Sequence, residues 1–449
     1  MICDHYDWGI VMKRVICILL AVAAVFVTAI SASAVDYGCN VETVSSAVYL
    51  ENLDTGAVVY EKSADTRMYP ASTTKIMTYV VVADHVSDLD GTMVDIKEDV
   101  LTGLDPESTV MGLSDHVGEQ YSIRELLYGM MLPSGNDAAL VLADFVGSGI
   151  PGFVEMMNSK AAELGCKDTH FVNPHGLHDP NHYTTARDMA AIAKYARTLP
   201  GFMEITNTLS YTPSRFTQPI TNTNYMLSST EQGGKYYYSY TKGIKTGYTD
   251  EAGKCLVTTA EKDDFTYLCI ALGAQYSFEE DVNYAMLDTA KLYDWAYTNL
   301  GQQVVYGSQD VVKTVDVKFG RDDDKLNLVP EGQLTALLPN SYDKNLIKVE
   351  VSCEDSFEAP ITQGQALGTA TVYYDDMTVG TTNVVASKTV EQDQMKLFFH
   401  NLGEWFKSHL VLIIVIAVVL IALIIFLIAA SSARKKRMRR ERARRRYRD

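Results

Sequence analysis

Cysteine is scarce in this chain of 449 residues, and its spacing is irregular. Two of the seven cysteines, Cys3 and Cys17, fall in an apolar N-terminal stretch. The other five are odd in number and no two have C-x-x-C spacing, which excludes a fully paired disulfide framework and the common zinc patterns. Cys255 and Cys269 fall on successive strand-like runs, so a disulfide between them is one alternative. Burial of both as small apolar side chains is favoured.

Basic residues are also few outside the last segment. The chain has 39 Lys and Arg against 56 Asp and Glu, and eleven of the basic residues lie in 434–449. The rest is therefore more acidic than the net charge of −17 indicates. An acidic body disfavours a polyanionic partner, so nucleic acid is not expected as one. Internal repeats and low-complexity linkers are absent from the sequence.

The N-terminal stretch is typical of a secretory signal peptide over residues 1–34. A basic pair, Lys13 and Arg14, precedes an apolar run, and Ala32-Ser33-Ala34 offers small residues for cleavage. Met12 is a more natural initiator than Met1. An uncleaved membrane anchor is the alternative.

The C-terminal stretch predicts a single transmembrane helix over residues 410–430. It has 21 residues without a charge, which is enough to cross a bilayer. The basic tail, 431–449, then belongs in the cytoplasm by the positive-inside rule, with the body of the chain extracellular. Residues 391–409 read as an amphipathic juxtamembrane helix, whose apolar stripe could instead pack on the preceding domain. The tail could also bind RNA, but attraction to anionic lipid is the simpler account.

Between these ends the patterns predict two domains. Residues 35–303 have strand patterns before and after a helical middle, which favours an α+β layer with helices on one face of an antiparallel sheet. A capping box is predicted at Ser122, and a long helix over 279–298. Residues 304–390 are short β-branched runs separated by Gly, Pro, Asn and Asp, which predicts a small all-β domain.

The stretch around Ser72 has the pattern of an activated nucleophile. Pro70 leads into the serine and an apolar run over 76–82 follows, which predicts a buried helix beginning near Ser72. Free N–H groups and the positive dipole end at a helix start stabilise an oxyanion. Lys75 lies on the same helical face, and an ammonium in an apolar setting loses pKa and can act as a base. Alone, the pattern equally fits a capping serine and a surface lysine.

Two more short patterns follow in order, Ser134-Gly135-Asn136 and Lys245-Thr246-Gly247. Either alone fits a turn or a strand end. With Ser72-x-x-Lys75 they match the S-x-x-K, S-x-N and K-T-G set of serine penicillin-recognising enzymes. The sequence thus resembles the D-alanyl-D-alanine carboxypeptidases among the low-molecular-mass penicillin-binding proteins, in segments 70–78 (PASTTKIMT), 132–139 (LPSGNDAA), 173–177 (NPHGL) and 243–249 (GIKTGYT).

This resemblance implies a β-lactamase/transpeptidase-like catalytic domain that trims the terminal D-alanine of peptidoglycan stem pentapeptides and is acylated by β-lactams. It implies three catalytic residues, namely Ser72 as nucleophile, Lys75 as base and Ser134 as proton relay. It implies a substrate-binding set of Asn136, Lys245, Thr246, Gly247 and Tyr248, in which the backbone N–H of Tyr248 completes an oxyanion hole with that of Ser72. No metal or other cofactor is implied.

One departure from the family pattern concerns recognition of the substrate carboxylate. Relatives often carry an arginine after the last strands, whereas here no arginine occurs between Arg215 and Arg321. Three histidines, His175, His178 and His182, invite a metal interpretation, but hydrogen bonds that shape their loop are favoured. A β-lactamase, a D,D-endopeptidase and a non-catalytic wall-binding protein are the alternative functions on this fold.

Overall fold

The computed structural model describes residues 37–105, 108–263, 265–276 and 281–446. The predicted signal peptide and residues 447–449 of the tail lie outside them. Contacts divide the chain into two compact units. The first is 1–305 with 334–350 and 371–381, and the second is 306–333 with 351–370 and 382–449.

The helices lie mostly between the early and late strands of the first unit. They are α1 (Lys75–His85), α2 (Glu98–Leu101), α3 (Ile123–Met131), α4 (Asn136–Gly147), α5 (Ile150–Glu163), α6 (Ala186–Ala196), α7 (Phe202–Thr206), α8 (Tyr284–Asn299) and α9 (Gln394–Arg446). The predicted capping box opens α3, because Ser122 and Glu125 accept each other's backbone N–H groups. The helix predicted over 279–298 begins at Tyr284 with Asn283 as its cap; Glu279 lies outside the described residues.

The strands fall into an early pair, a central group and a late series. They are β1 (Ala47–Asn52), β2 (Val58–Lys62), β3 (Met93–Asp95), β4 (Gln120–Ser122), β5 (Ser210–Tyr211), β6 (Ile220–Thr221), β7 (Thr241–Thr249), β8 (Gly253–Lys262), β9 (Phe265–Ala274), β10 (Leu300–Tyr306), β11 (Lys313–Lys318), β12 (Lys325–Pro330), β13 (Leu334–Pro339), β14 (Ile347–Cys353), β15 (Ser356–Glu358), β16 (Ala366–Tyr374) and β17 (Met377–Ala386).

The first unit is organised on a five-stranded antiparallel sheet in the order β2-β1-β9-β8-β7. Its centre is β9, in which every residue from Tyr267 to Leu272 is fully buried. A strand buried on both faces needs cover on both. Leu268 and Ile270 join the core under the helical region, whereas Cys269 contacts Thr289 of α8 on the opposite face.

The expectation of helices on one face was therefore wrong, since α8 covers the second face. The α+β class with an antiparallel sheet and a helical subdomain is confirmed. Cys255 and Cys269 are buried and form no disulfide with each other, as favoured from the sequence.

The predicted C-terminal all-β region is also confirmed. In the second unit β11 pairs antiparallel with β12 and parallel with β15. Alternate residues of the two antiparallel strands, among them Val315, Val317, Leu326 and Leu328, are buried, as the period of two in a half-buried sheet requires.

A single helix, α9, runs through the predicted juxtamembrane helix, the predicted transmembrane helix and most of the predicted basic tail. It begins where the Asp393 carboxylate accepts the N–H groups of Met395 and Lys396. No proline occurs from there to Arg446, so the amphipathic and apolar parts form one continuous helix. Among the described residues it is the one unbroken helix long and apolar enough to cross a membrane. This suggests that the chain is anchored in a membrane.

Candidate active site

Ser72 lies in a tight turn that leads into α1. A 3-10 helix covers Ala71–Thr74, and α1 continues from Lys75. Ala71 has φ +46°, a left-handed conformation that costs a non-glycine residue energy. The hydroxyls of Thr73 and Thr74 hold the turn by donating to the carbonyls of Pro70 (2.6 Å) and Ala71 (2.8 Å). The chain before the serine is thus fixed in a strained geometry by its own side chains.

The Lys75 amino group is fully buried beside Ser72. Its Nζ lies 3.0 Å from Ser72 Oγ, 2.6 Å from Asn136 Oδ1 and 2.8 Å from the carbonyl oxygen of His175. Burial lowers the pKa of Lys75 well below its usual value, and the positive charge of Lys245 lowers it further, while Asp137 opposes both. A neutral amine within hydrogen-bond distance of a serine hydroxyl can accept its proton.

Ser134 and Asn136 flank the start of α4. Ser134 has φ +67°, and its buried Oγ has no hydrogen-bond partner within the described part of the chain, so it is available to a ligand. Asn136 is the first residue of α4, and its backbone N–H donates to the Thr109 carbonyl. The turn thereby brings one hydroxyl and one amide side chain to the same wall as Ser72.

The third pattern lies on β7, which is the edge strand of the sheet. A bulge between Lys242 and Lys245 interrupts its register with β8, as is common beside functional sites. Gly247 packs so close to the nucleophile turn that a Cβ there would lie 3.0 Å from Ser72 N and 3.1 Å from Pro70 O. A side chain at this position would therefore require the strand or the serine turn to shift.

Two side chains of β7 have defined surroundings. Lys245 is fully buried, burial lowers its pKa to about 7, and its Nζ donates to the Thr246 carbonyl at 3.1 Å. The Thr246 hydroxyl is 2.6 Å from that of Thr223. The Tyr248 hydroxyl donates to Asp250 at 2.7 Å.

These residues surround one cavity of about 370 Å³. Its walls include Ser72, Ser134, Asn136, Thr246, Gly247 and Tyr248 from the predicted set. Lys75 and Lys245 are buried behind these walls. All eight predicted site residues are thus gathered at one cleft between the helical region and the sheet edge.

The sequence profile described as D-alanyl-D-alanine carboxypeptidase matches residues 34–276, more than half of the chain. The chain belongs to this family of serine peptidases. A second profile, described as the C-terminal domain of penicillin-binding protein 5, matches residues 301–392 of the carboxypeptidase-family chain.

Individual relatives agree with the profiles. D-alanyl-D-alanine carboxypeptidase DacF of Bacillus subtilis strain 168 is 31% identical over 366 residues, covering 81% of this chain and 90% of that protein. DacC of Escherichia coli K12 is 30% identical over 369 residues, covering 78% and 88%. The crystal structure of penicillin-binding protein 5 from Haemophilus influenzae aligns with a TM-score of 0.63 at 27% identity, covering 78% of this chain and 98% of that one. The predicted family and fold class are confirmed.

In this carboxypeptidase-family site the loop that carries His175 and His182 supports the turn Ala71–Thr74, which contains the predicted nucleophile Ser72. His182 Nδ1 accepts from the Val172 N–H at 3.1 Å, so its Nε2 carries the proton and donates to the Thr74 hydroxyl at 2.7 Å. Burial lowers the pKa of His182 to about 4, which keeps this tautomer neutral. Since Thr74 donates onward to Ala71, the loop and the turn form one chain of hydrogen bonds.

Two contributors were missed from the sequence. The buried Asp137 carboxylate accepts the backbone N–H groups of Met111, Gly112, Leu113 and Ala138 at 2.7–2.9 Å. An acidic residue in the first turn of α4 was a readable signal for Asp137, because helix starts favour negative charge. Thr223, which pairs with Thr246, lies in an irregular segment that carries no such signal.

Proposed function

We propose that Ser72 and Lys75 carry a serine acyl-transfer reaction that removes the terminal D-alanine from peptidoglycan stem peptides. The enzyme is a serine-type D-alanyl-D-alanine carboxypeptidase. The observation that carries the residue assignment is the contact of 3.0 Å between Lys75 Nζ and Ser72 Oγ, in a site where burial lowers the pKa of Lys75 well below its usual value.

Acylation begins with proton transfer from Ser72 Oγ to neutral Lys75. The serine oxygen then bonds to the carbonyl carbon of the penultimate D-alanine. The oxyanion accepts hydrogen bonds from the backbone N–H groups of Ser72 and Tyr248. The close approach of Gly247 to Ser72 N supports this pairing, because it places β7 beside the first N–H donor.

Collapse of the intermediate breaks the peptide C–N bond. The leaving amine takes its proton from Lys75 by way of Ser134, whose unpartnered hydroxyl lines the same wall. Asn136 orients Lys75 through the 2.6 Å contact and hydrogen-bonds the substrate amide. Water then gives a proton to Lys75 and attacks the ester carbonyl. The ester C–O bond breaks, the shortened peptide leaves as a carboxylate, and Ser72 Oγ takes the proton back from Lys75.

The leaving D-alanine carries a carboxylate that needs partners. Lys245 supplies positive potential near it, and the Thr246 hydroxyl, already fixed by Thr223, donates a hydrogen bond. The edge position of β7 leaves backbone groups available to pair with an extended peptide. The amide of a β-lactam ring presents the same reacting atoms, so penicillin acylates Ser72 as the stem peptide does.

Release of D-alanine from diacetyl-Lys-D-Ala-D-Ala by the full chain in detergent tests the proposal. We expect penicillin-sensitive release by wild type, and neither release nor covalent labelling by fluorescent penicillin in Ser72→Ala. Ser87→Ala changes an exposed serine just after α1 and is the matched control.

Covalent labelling of Ser72→Ala would overturn the nucleophile assignment. Release that penicillin does not inhibit would overturn the acyl-enzyme route. Rapid turnover of a chromogenic cephalosporin would instead favour the β-lactamase alternative.

We also propose that α9 crosses the cell membrane once, with the catalytic unit outside and the basic tail in the cytoplasm. Support comes from the uncharged stretch 410–430 and the basic residues that follow it. Protease added to intact protoplasts should remove the catalytic unit and leave an epitope at the C-terminus protected. Digestion of the epitope in sealed protoplasts would reverse the orientation.

A further inference from the structure

The cleft contains a third lysine that the reaction described above does not use. Lys254 lies on β8 directly opposite Tyr248 in the β7–β8 register, and it lines the same cavity as Ser72. Unlike Lys75 and Lys245, it belongs to the wall itself. A cation on this wall faces any charged group that the ligand carries.

The Lys254 ammonium is held between two aromatic rings. Its Nζ lies 4.1 Å from the ring centroid of Tyr248 and 4.0 Å from that of Tyr276. The two rings contact each other edge to face, with centroids 5.4 Å apart. Cation–π contacts of this kind favour the charged form and fix the position of a flexible side chain. The two rings therefore hold the Lys254 amino group in one position, unlike a freely moving surface lysine.

No carboxylate of the described residues forms an ion pair with the charge of Lys254. Burial lowers the pKa of Lys254 and the negative charge of Asp281 opposes this shift; Asp281 Oδ1 itself accepts from the Tyr276 hydroxyl at 2.9 Å. A half-buried cation that lines a cavity without an ion-pair partner is suited to an anionic ligand.

We infer that Lys254 binds the terminal carboxylate of the peptide substrate and so takes the part of the arginine that this chain lacks between Arg215 and Arg321. The inference rests on the proposed function, since it concerns the same cleft and the same peptide. It assigns Lys254 as a specificity-determining residue, with Thr246 and Lys245 as its partners at the carboxylate.

The test compares Lys254→Met with Lys254→Arg in the full chain in detergent. Methionine keeps the apolar stem between the rings and removes only the charge. We expect Lys254→Met to raise KM for diacetyl-Lys-D-Ala-D-Ala about tenfold or more, the scale of losing one charged hydrogen-bond partner, with a smaller change in kcat. Lys254→Arg should restore most of the loss. Added salt should lower kcat/KM of wild type more than that of Lys254→Met, which keeps only the charge of Lys245 near the carboxylate.

Lys262 offers a matched control on the same strand. Its Nζ also lies over two tyrosine rings, those of Tyr240 and Tyr297 at 5.2 and 5.5 Å, but it does not line the cavity. Lys262→Met should therefore leave KM unchanged.

Three outcomes would overturn the inference. They are a KM of Lys254→Met within twofold of wild type, equal impairment of the methionine and arginine variants, and equal effects of Lys254→Met and Lys262→Met. Absence of D-alanine release by wild type would instead count against the proposed function, so the two failures are distinguishable.

Discussion

Lys245→Met should make the protein more stable while it abolishes activity. The Lys245 side chain is fully buried and forms no salt bridge with a described residue. Burial lowers its pKa from 10.5 to about 7. This corresponds to a cost of up to about 5 kcal/mol for the charged form in the native state. Methionine has a similar length and carries no charge that must be desolvated.

The pH dependence gives the prediction its sign. A lysine whose pKa is lowered on folding binds more protons in the unfolded state between pH 7 and 10.5, so stability rises with pH across that window. Below pH 7 the full cost applies. At pH 9 it falls to about 2 kcal/mol. The gain from Lys245→Met should therefore be about 3 kcal/mol larger at pH 6 than at pH 9.

Thermal unfolding in detergent at the two pH values measures this difference. About 3 kcal/mol corresponds to roughly 5 °C in Tm for a unit of about 300 residues. Lys242→Met, a partly exposed lysine on the same strand, is the control and should show no such difference. The reasoning that burial of an unpaired charge limits stability would be refuted by either of two results. One is a Tm difference between Lys245→Met and wild type that is the same at pH 6 and pH 9, and the other is a Tm of Lys245→Met below that of wild type at pH 6.

Two further predictions concern the frame of the site. Asp137→Ala leaves four backbone N–H groups without their acceptor, so we expect a loss of about 3 kcal/mol or more in unfolding free energy. Asp144→Ala on the same helix removes only a partly exposed ion pair with Lys97 and should cost under about 1 kcal/mol, so similar Tm values for the two variants would contradict this expectation. Gly247→Ala places a Cβ against Ser72 N, so penicillin acylation should slow about 10- to 100-fold with little change in Tm; unchanged acylation would show that the contact tolerates a methyl group.

Local features of the fold could be read from the sequence because their causes lie within a few residues. The box at Ser122 and Glu125, for example, needs only a helix start. The start of α8 was placed too early because the helical pattern continues upstream of Asn283, whose side chain caps the helix by accepting the Met286 N–H.

The assembly of the cleft could be anticipated only through family resemblance. No local pattern shows that Lys75 meets Asn136, 61 residues away, or that Thr223 meets Thr246. The packing of α8 on the second face of the sheet was missed for the same reason. The continuous apolar run of β9 indicates burial on both faces but not which helix packs on which face. Lys254 went unnoticed because a lone lysine in a strand is ordinarily a solvated side chain.

The strand order of the five-stranded sheet also determines when the catalytic unit can fold during synthesis. Ala47 pairs with Leu272 and Asn52 with Tyr267, so β1 waits for a partner made more than two hundred residues later. A fragment that ends after β7 would contain every predicted catalytic residue, yet it would lack β8 and β9, which join β7 to β1. Such high contact order slows folding, since long loops must close before the central strands pair. During synthesis, the edge of β1 that pairs with β9 therefore remains unpaired until β9 has been made. The enzyme becomes active only after β9 has been synthesised.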